Sequence, residues 1–216
     1  MQFWSAMNSK MIRVLVVDDH PVVREGLSAM ISREPDMTVV AQARDAKEAM
    51  DLFRSHLPDV TLLDLSLPDR SGVEVIASLH PEFPDARFVV LSVFDGNEDI
   101  YRALKAGALS YLLKDSEPEE LLHAIRELNA GKKYLPGRVA SKLAERITED
   151  YLTPREQEVV QLMADGKSNK QIAVDLKLSE GTVKNHVTNV LEKLRATSRS
   201  HAIVEALRRG IIHAAK

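Results

Sequence analysis

Five short runs of apolar, largely β-branched residues recur through the first half of the chain, at 14–17, 38–41, 60–65, 88–93 and 111–113. Helical patterns separate and follow them, at about 21–33, 45–55, 71–79, 97–106 and 118–130. A strand that is apolar on consecutive residues is buried on both faces, which is how a parallel sheet covered by helices reads. Five βα units predict an α/β domain with a doubly wound, five-stranded parallel sheet of the flavodoxin-like kind.

In such a sheet, ligands bind beyond the carboxyl ends of the strands. Asp18 and Asp19 close the first run, Asp64 lies at the end of the third, Ser92 of the fourth, and Lys114 follows the fifth. The topology therefore carries three carboxylates, a hydroxyl and an ammonium to one rim. Crowded carboxylates repel unless a cation sits among them. An all-oxygen set suits Mg2+, which retains waters and accepts phosphate as a co-ligand. Asp64 then qualifies as a nucleophile toward a phosphoryl group, giving an acyl phosphate. Lys114 and the metal would stabilise charge on the transferring oxygens. Any one of these aspartates alone reads as a helix cap or a strand-end turn; the whole set at strand ends does not.

The stretches Val16-Val17-Asp18-Asp19-His20-Pro21, Leu63-Asp64-Leu65-Ser66-Leu67-Pro68 with Gly72, Leu91-Ser92, and Tyr111-Leu112-Leu113-Lys114 resemble the receiver domains of bacterial two-component response regulators, over about residues 12–128. The resemblance implies that Asp64 is the phosphoacceptor. It implies that Asp18, Asp19, Asp64 and the backbone carbonyl of Ser66 hold Mg2+, that Ser92 and Lys114 bind phosphoryl oxygens, and that Ser92 and Tyr111 form the switch. The chain departs from the common pattern in having Asp115 after the lysine, where many receivers have a cis proline. Tyr111 read on its own is a half-buried strand aromatic. His20, just before a proline suited to the first helical position, reads as a residue that only flanks the pocket.

After Gly131 the β pattern stops, and 131–148, with Pro136, Gly137 and a short helix at 139–147, reads as a linker between a receiver at 12–130 and a C-terminal domain at 149–216. Four helices follow, at about 154–164, 169–176, 180–194 and 199–209. Thr153-Pro154-Arg155-Glu156 and Ser168-Asn169-Lys170-Gln171 are capping boxes, and Ser179 is a simple N-cap. Only Lys177-Leu178-Ser179 joins the second helix to the third, a helix-turn-helix signature. On the third helix Val183, Val187, Val190, Leu191 and Leu194 form one stripe. Asn185, Thr188 and Glu192 lie opposite, with Lys184 and Asn189 on the shoulders; amides, a hydroxyl and a lysine suit a major-groove reader, although a single polar helix face is more often merely solvated.

Leu152-Thr153-Pro154-Arg155-Glu156, Gly166, Asn169-Lys170-Gln171-Ile172-Ala173, Leu178-Ser179 and Thr182-Val183-Lys184-Asn185-His186-Val187 resemble the LuxR-type, or NarL/FixJ-type, helix-turn-helix over about residues 149–213. The resemblance implies that 180–194 is the recognition helix on double-stranded DNA. Lys184, Asn185 and Thr188 then fall at the family's usual contact positions, Asn189 joins them on geometric grounds, and His186 is a packing or phosphate-side residue. Ile203, Ala206 and Leu207 of the last helix imply either a homodimer contact or domain core.

Composition adds bounds. The absence of Cys removes disulfides, thiolate metal sites and cysteine nucleophiles. No stretch approaches a membrane span, and the first eleven residues lack the pattern of a signal peptide, so a cytoplasmic protein is expected. Residues 148–216 carry 11 Lys and Arg against 9 Asp and Glu, while the rest carry 18 against 23, leaving +2 and −5. That asymmetry permits nucleic-acid binding without arguing for it. Two other classes compete. A phosphohydrolase of the haloacid dehalogenase type needs a second carboxylate two residues after the nucleophile, where Ser66 stands. A flavodoxin-like cofactor binder needs a hydroxyl- or glycine-rich loop after the first strand, where Asp18-Asp19 stands. The reading is therefore a DNA-binding response regulator, not an enzyme. A sensor histidine kinase would be its upstream partner, and phosphorylation would control dimerisation and transcription.

Overall fold

The computed structural model describes residues 11–147 and 150–213. Most of the N-terminal segment weighed for a signal peptide, residues 1–10, lies outside the described residues. By compactness the chain divides into two units, one running to Val93 and resuming over Arg102–Val139, the other comprising Phe94–Tyr101 and the chain from Ala140 onward.

The elements alternate: β1 (Ile12–Val17), α1 (Pro21–Ile31), β2 (Met37–Ala43), α2 (Ala46–His56), β3 (Val60–Asp64), α3 (Gly72–Leu79), β4 (Phe88–Ser92), α4 (Asn97–Ala106), β5 (Ser110–Leu113) and α5 (Pro118–Asn129). The strands make one five-stranded sheet in the order β2-β1-β3-β4-β5, with every pairing parallel. All residues of β3, β4 and β5 are buried. β2 is an edge strand and mostly half-buried, and the exposed Gln42 interrupts its apolar run; for that reason the run seen in the sequence, 38–41, stops short of Ala43.

Alternation along each strand divides the core into two layers. Val14, Val16, Leu62, Val89, Leu91 and Leu112 pack with Ile31 of α1 and Leu121, Ile125 and Leu128 of α5. On the other face, the ring of Phe53 from α2 stacks on Phe88 at 5.8 Å and meets Phe83 at 5.2 Å. Burying both faces of three central strands is the main stabilising contribution in this unit, at roughly 25 cal/mol per Å² of apolar surface.

Beyond the sheet the chain is helical. α6 (Gly137–Ile147) begins two residues earlier than the sequence pattern suggested, directly after Pro136. α7 (Pro154–Ala164), α8 (Asn169–Leu176), α9 (Glu180–Lys193) and α10 (Arg199–Arg208) follow. Thr153 and Ser168 close reciprocal capping boxes with Glu156 and Gln171, and Ser179 caps α9 through the Thr182 amide. The turn from α8 to α9 passes through Lys177 at φ 54°, a left-handed cap position. These helices enclose their own core, in which Val159, Val160, Met163, Ile172, Val183, Val190, Leu194, Ala202 and Ala206 are buried.

Candidate functional sites

Strand register assembles the rim. Val17 pairs with Leu63, so Asp18 and Asp64 come next side by side; Asp64 pairs with Leu91 and Ser92 with Leu113, so Ser92 and Lys114 lie one step further along their strands. Lys114 Nζ is 2.7 Å from Asp18 Oδ2 and 2.8 Å from Asp64 Oδ2. Ligand atoms of Asp18, Asp19, His20 and Asp64 all lie within 4.8 Å of one another. The sheet has thus brought together Asp18, Asp19, Asp64 and Lys114, with Ser92 at the same end of its strand.

The pocket is short of positive charge. Asp18 and Asp64 are 1% and 2% exposed, and one ammonium faces both. Asp18 Oδ2 and Asp19 Oδ1 are buried, with Lys114 Nζ 2.7 Å from the first and the His20 ring 2.7 Å from the second. Buried carboxylates that share one ammonium remain desolvated and short of positive charge, and an oxygen-seeking divalent cation would supply it. The donor set therefore fits Mg2+. Burial disfavours the Lys114 ammonium, but the Asp18 and Asp64 carboxylates outweigh it and raise its pKa above the ordinary lysine value. The lysine stays charged.

Local chain geometry holds these groups. The Ser66 amide donates to Asp64 Oδ1 at 3.1 Å, which folds the loop after β3 back on the strand end. Gly72 returns the chain, its amide bonded to the Leu65 carbonyl at 3.0 Å. A Cβ on Gly72 would stand 2.3 Å from the Asp64 carbonyl oxygen, so only glycine fits there. Ser92 and Tyr111 are wholly buried; the sequence reading of Tyr111 as half-buried gives way, because β5 is covered on both faces. The Lys114–Asp115 bond is trans.

Three side chains at the rim were not assigned such places from the sequence. Arg24 Nη1 donates to the Asp18 carbonyl at 2.6 Å. It lies one turn into α1, a periodicity signal that could have flagged it. Asp69 accepts from the Ala46 and Lys47 amides at 2.9 and 3.1 Å, tying the loop after β3 to the start of α2; those amides hold its carboxyl below the usual range. No pattern in the sequence pairs those positions. His20, read as flanking the pocket, instead belongs to the acidic cluster.

On α9, Lys184, Asn185, Thr188 and Asn189 are exposed, as is Glu192, and His186 is half-buried. Val183 and Val190 are buried beneath them, with Val187 and Leu191 packed on the same core. Lys184 Nζ lies 3.3 Å from Glu180 Oε1, and Thr188 Oγ1 donates to the Lys184 carbonyl at 3.1 Å. The four polar residues therefore share an open face on a helix seated by its opposite side. On α10, Ala206 is core and Ile203 partly so, while Leu207 is exposed along with Val204.

Comparison with known proteins gives this arrangement a place. Residues 14–126 match the response regulator receiver domain, and residues 150–206 match the luxR family of bacterial regulatory proteins. The chain belongs to the response regulators that join a receiver domain to a LuxR-type helix-turn-helix, and it is a DNA-binding transcription regulator of that family. It is 39% identical to the uncharacterized transcriptional regulatory protein YxjL of Bacillus subtilis, covering 95% of this chain and all of that one. It is 41% identical to the nitrate/nitrite response regulator NarL of Escherichia coli, covering 91% and 95%. Among solved structures it resembles the response regulator ChrA of a heme-sensing two-component system, at 34% identity and TM-score 0.57 over 94% of this chain and 99% of that one. It also resembles Salmonella enterica RcsB bound to a promoter in the presence of a phosphomimetic, at 25% identity and TM-score 0.71 over 92% and 98%. No helix among the described residues is long and apolar enough to cross a membrane.

Proposed function

We propose that Asp64 is the phosphoacceptor and that its phosphorylation governs binding of α9 to DNA. The observation that carries this reading is the Asp64 carboxylate, 2.8 Å from the Lys114 ammonium, in one cluster with Asp18 and Asp19. An Asp64 oxygen attacks the phosphorus of a phosphohistidine on a sensor kinase, or of a small acyl phosphate. The P–N or P–O bond breaks, and imidazole (taking up a proton) or a carboxylate leaves. Lys114 neutralises charge on the transferred oxygens, and the Ser92 hydroxyl donates to one of them. Asp18, Asp19, Asp64 and the Ser66 carbonyl would hold Mg2+, which when bound supplies further positive charge to the phosphoryl oxygens. Ser66 stands where a hydrolase needs a carboxylate to activate water, so the acyl phosphate serves as a signal and not as an intermediate of turnover.

The new dianion draws Ser92 and Lys114 toward it, and Tyr111 repacks beside them. In the phosphorylated state two chains pair, so that two α9 helices meet two half-sites and each raises the effective concentration of the other. Lys184, Asn185, Thr188 and Asn189 contact the duplex, with His186 on the phosphate side; RcsB, captured on promoter DNA with a phosphomimetic, lends this support. The protein works in the cytoplasm, where kinase and DNA are both within reach.

Asp64→Asn tests the assignment. With labelled acetyl phosphate and Mg2+, the wild type should incorporate label and the variant should not, with matching circular dichroism. Label on the variant at the wild-type level would reject Asp64 as acceptor.

A further inference from the structure

We propose that His20 is a nitrogen donor to the ion pocket and tunes its metal preference, so that the site holds a nitrogen-accepting cation such as Co2+ more tightly than three carboxylates alone would. This rests on the proposed metal reading of Asp18, Asp19 and Asp64 and deepens it. The backbone amide of His20 donates to Asp18 Oδ1 at 2.8 Å, closing a tight turn that folds the residue back over the acids. Pro21 at the first helical position of α1 fixes the chain direction beyond it. The ring lies over the pocket, with Nδ1 2.7 Å from Asp19 Oδ1 and 3.3 Å from Asp18 Oδ1. One ring nitrogen and one oxygen from each aspartate are within 4.8 Å of one another, the span of a single coordination shell.

A second observation points to a ligand there. Asp18 Oδ2 is met by Lys114 at 2.7 Å, whereas on the side toward which His20 turns Asp19 Oδ1 is buried and has the His20 ring itself as its ionic neighbour at 2.7 Å. A cation entering on that side would meet the imidazole and the Asp19 carboxylate together. The imidazole itself is 62% exposed, so it can give up its contact with Asp19 for a metal at little cost in packing. Imidazole favours borderline first-row ions, whereas Mg2+ is indifferent to it and takes oxygen. His20 should thus discriminate between the two kinds of cation while barely affecting the second.

The test is titration calorimetry of the metal-free full-length chain with Mg2+ and with Co2+, for the wild type, His20→Ala and Asp19→Asn, with the visible absorption of bound Co2+ read in parallel. His20→Ala should weaken Co2+ binding about tenfold or more, equivalent to at least ~1.4 kcal/mol, and change the Co2+ spectrum. Its Mg2+ affinity should stay within about twofold. Asp19→Asn should weaken both ions. If His20→Ala binds Co2+ as the wild type does, with the same spectrum, while Asp19→Asn loses both, the metal pocket stands and the role of His20 is refuted. If the wild type binds neither ion, the metal reading falls and His20 with it.

Discussion

Lys114 stands between two buried carboxylates, and its removal would leave both without their cation. Losing one member of a buried charge cluster costs about 3 kcal/mol or more, because the remaining charges stay desolvated. Lys114→Met should therefore lower the unfolding free energy of the metal-free protein, read by denaturant titration, by about that much. It should also tighten Mg2+ binding several-fold, since the ion would no longer compete with an ammonium; equal affinity in the two proteins would show that the lysine and the ion do not share the pocket. Asp18, Asp19, Asp64, Ser92 and Lys114 were legible from the sequence because each sits at the end of a strand and parallel topology sends all such ends to one side. Arg24 could have been flagged only by its place one turn into α1, and Asp69 not at all, because their partners are backbone groups (the Asp18 carbonyl, the Ala46 and Lys47 amides), which leave no mark in residue type.

The loop between β3 and α3 depends on Gly72 for close approach rather than for an unusual backbone angle. Gly72→Ala would drive a methyl group into the Asp64 carbonyl. It should destabilise the protein by about 1–3 kcal/mol and slow labelling by acetyl phosphate, as Asp64 shifts from its place. Unchanged stability and unchanged labelling would mean the loop yields freely. On α10, Arg208 first and then Arg209 outweigh burial to hold the Glu205 carboxyl at about 2, against an ordinary value of 4.5. Because the folded value is depressed, this stabilisation is fully present above pH 4.5 and is lost as pH falls toward 2. Glu205→Gln should speed hydrogen exchange of α10 amides at neutral pH, by an amount worth up to about 1 kcal/mol after solvent screening, and the gap from wild type should close as pH drops through that window. The helices themselves were legible at nearly every boundary, since caps at Thr153, Ser168 and Ser179 announce them. What no cap could reveal was the tie between α7 and α9, where Glu156, already committed to its capping box, also accepts from Lys193 at 2.7 Å.

Across the whole chain, the sheet and the helices from α7 onward are built around different sets of buried residues, 12–128 for one and 152–212 for the other. A fragment of residues 149–216 should accordingly fold alone and bind the same DNA whether or not acetyl phosphate is present, whereas the full chain should bind more tightly with it. A phosphate-dependent fragment would contradict the assignment of control to Asp64. Many basic side chains of this region are already in ion pairs, among them Lys167 with Asp175, Lys193 with Glu156, and Arg208 and Arg209 with Glu205. Few phosphates are left to neutralise, and a plot of log affinity against log salt should have a slope of about −4 or shallower per bound chain. The order of elements carries one more consequence. The last strand of the sheet ends at Leu113 and α9 begins only at Glu180, and a ribosome releases the chain in that direction. On a nascent polypeptide the proposed phosphate-accepting centre is synthesised before the proposed groove-reading helix, so the reader emerges tethered to its controller.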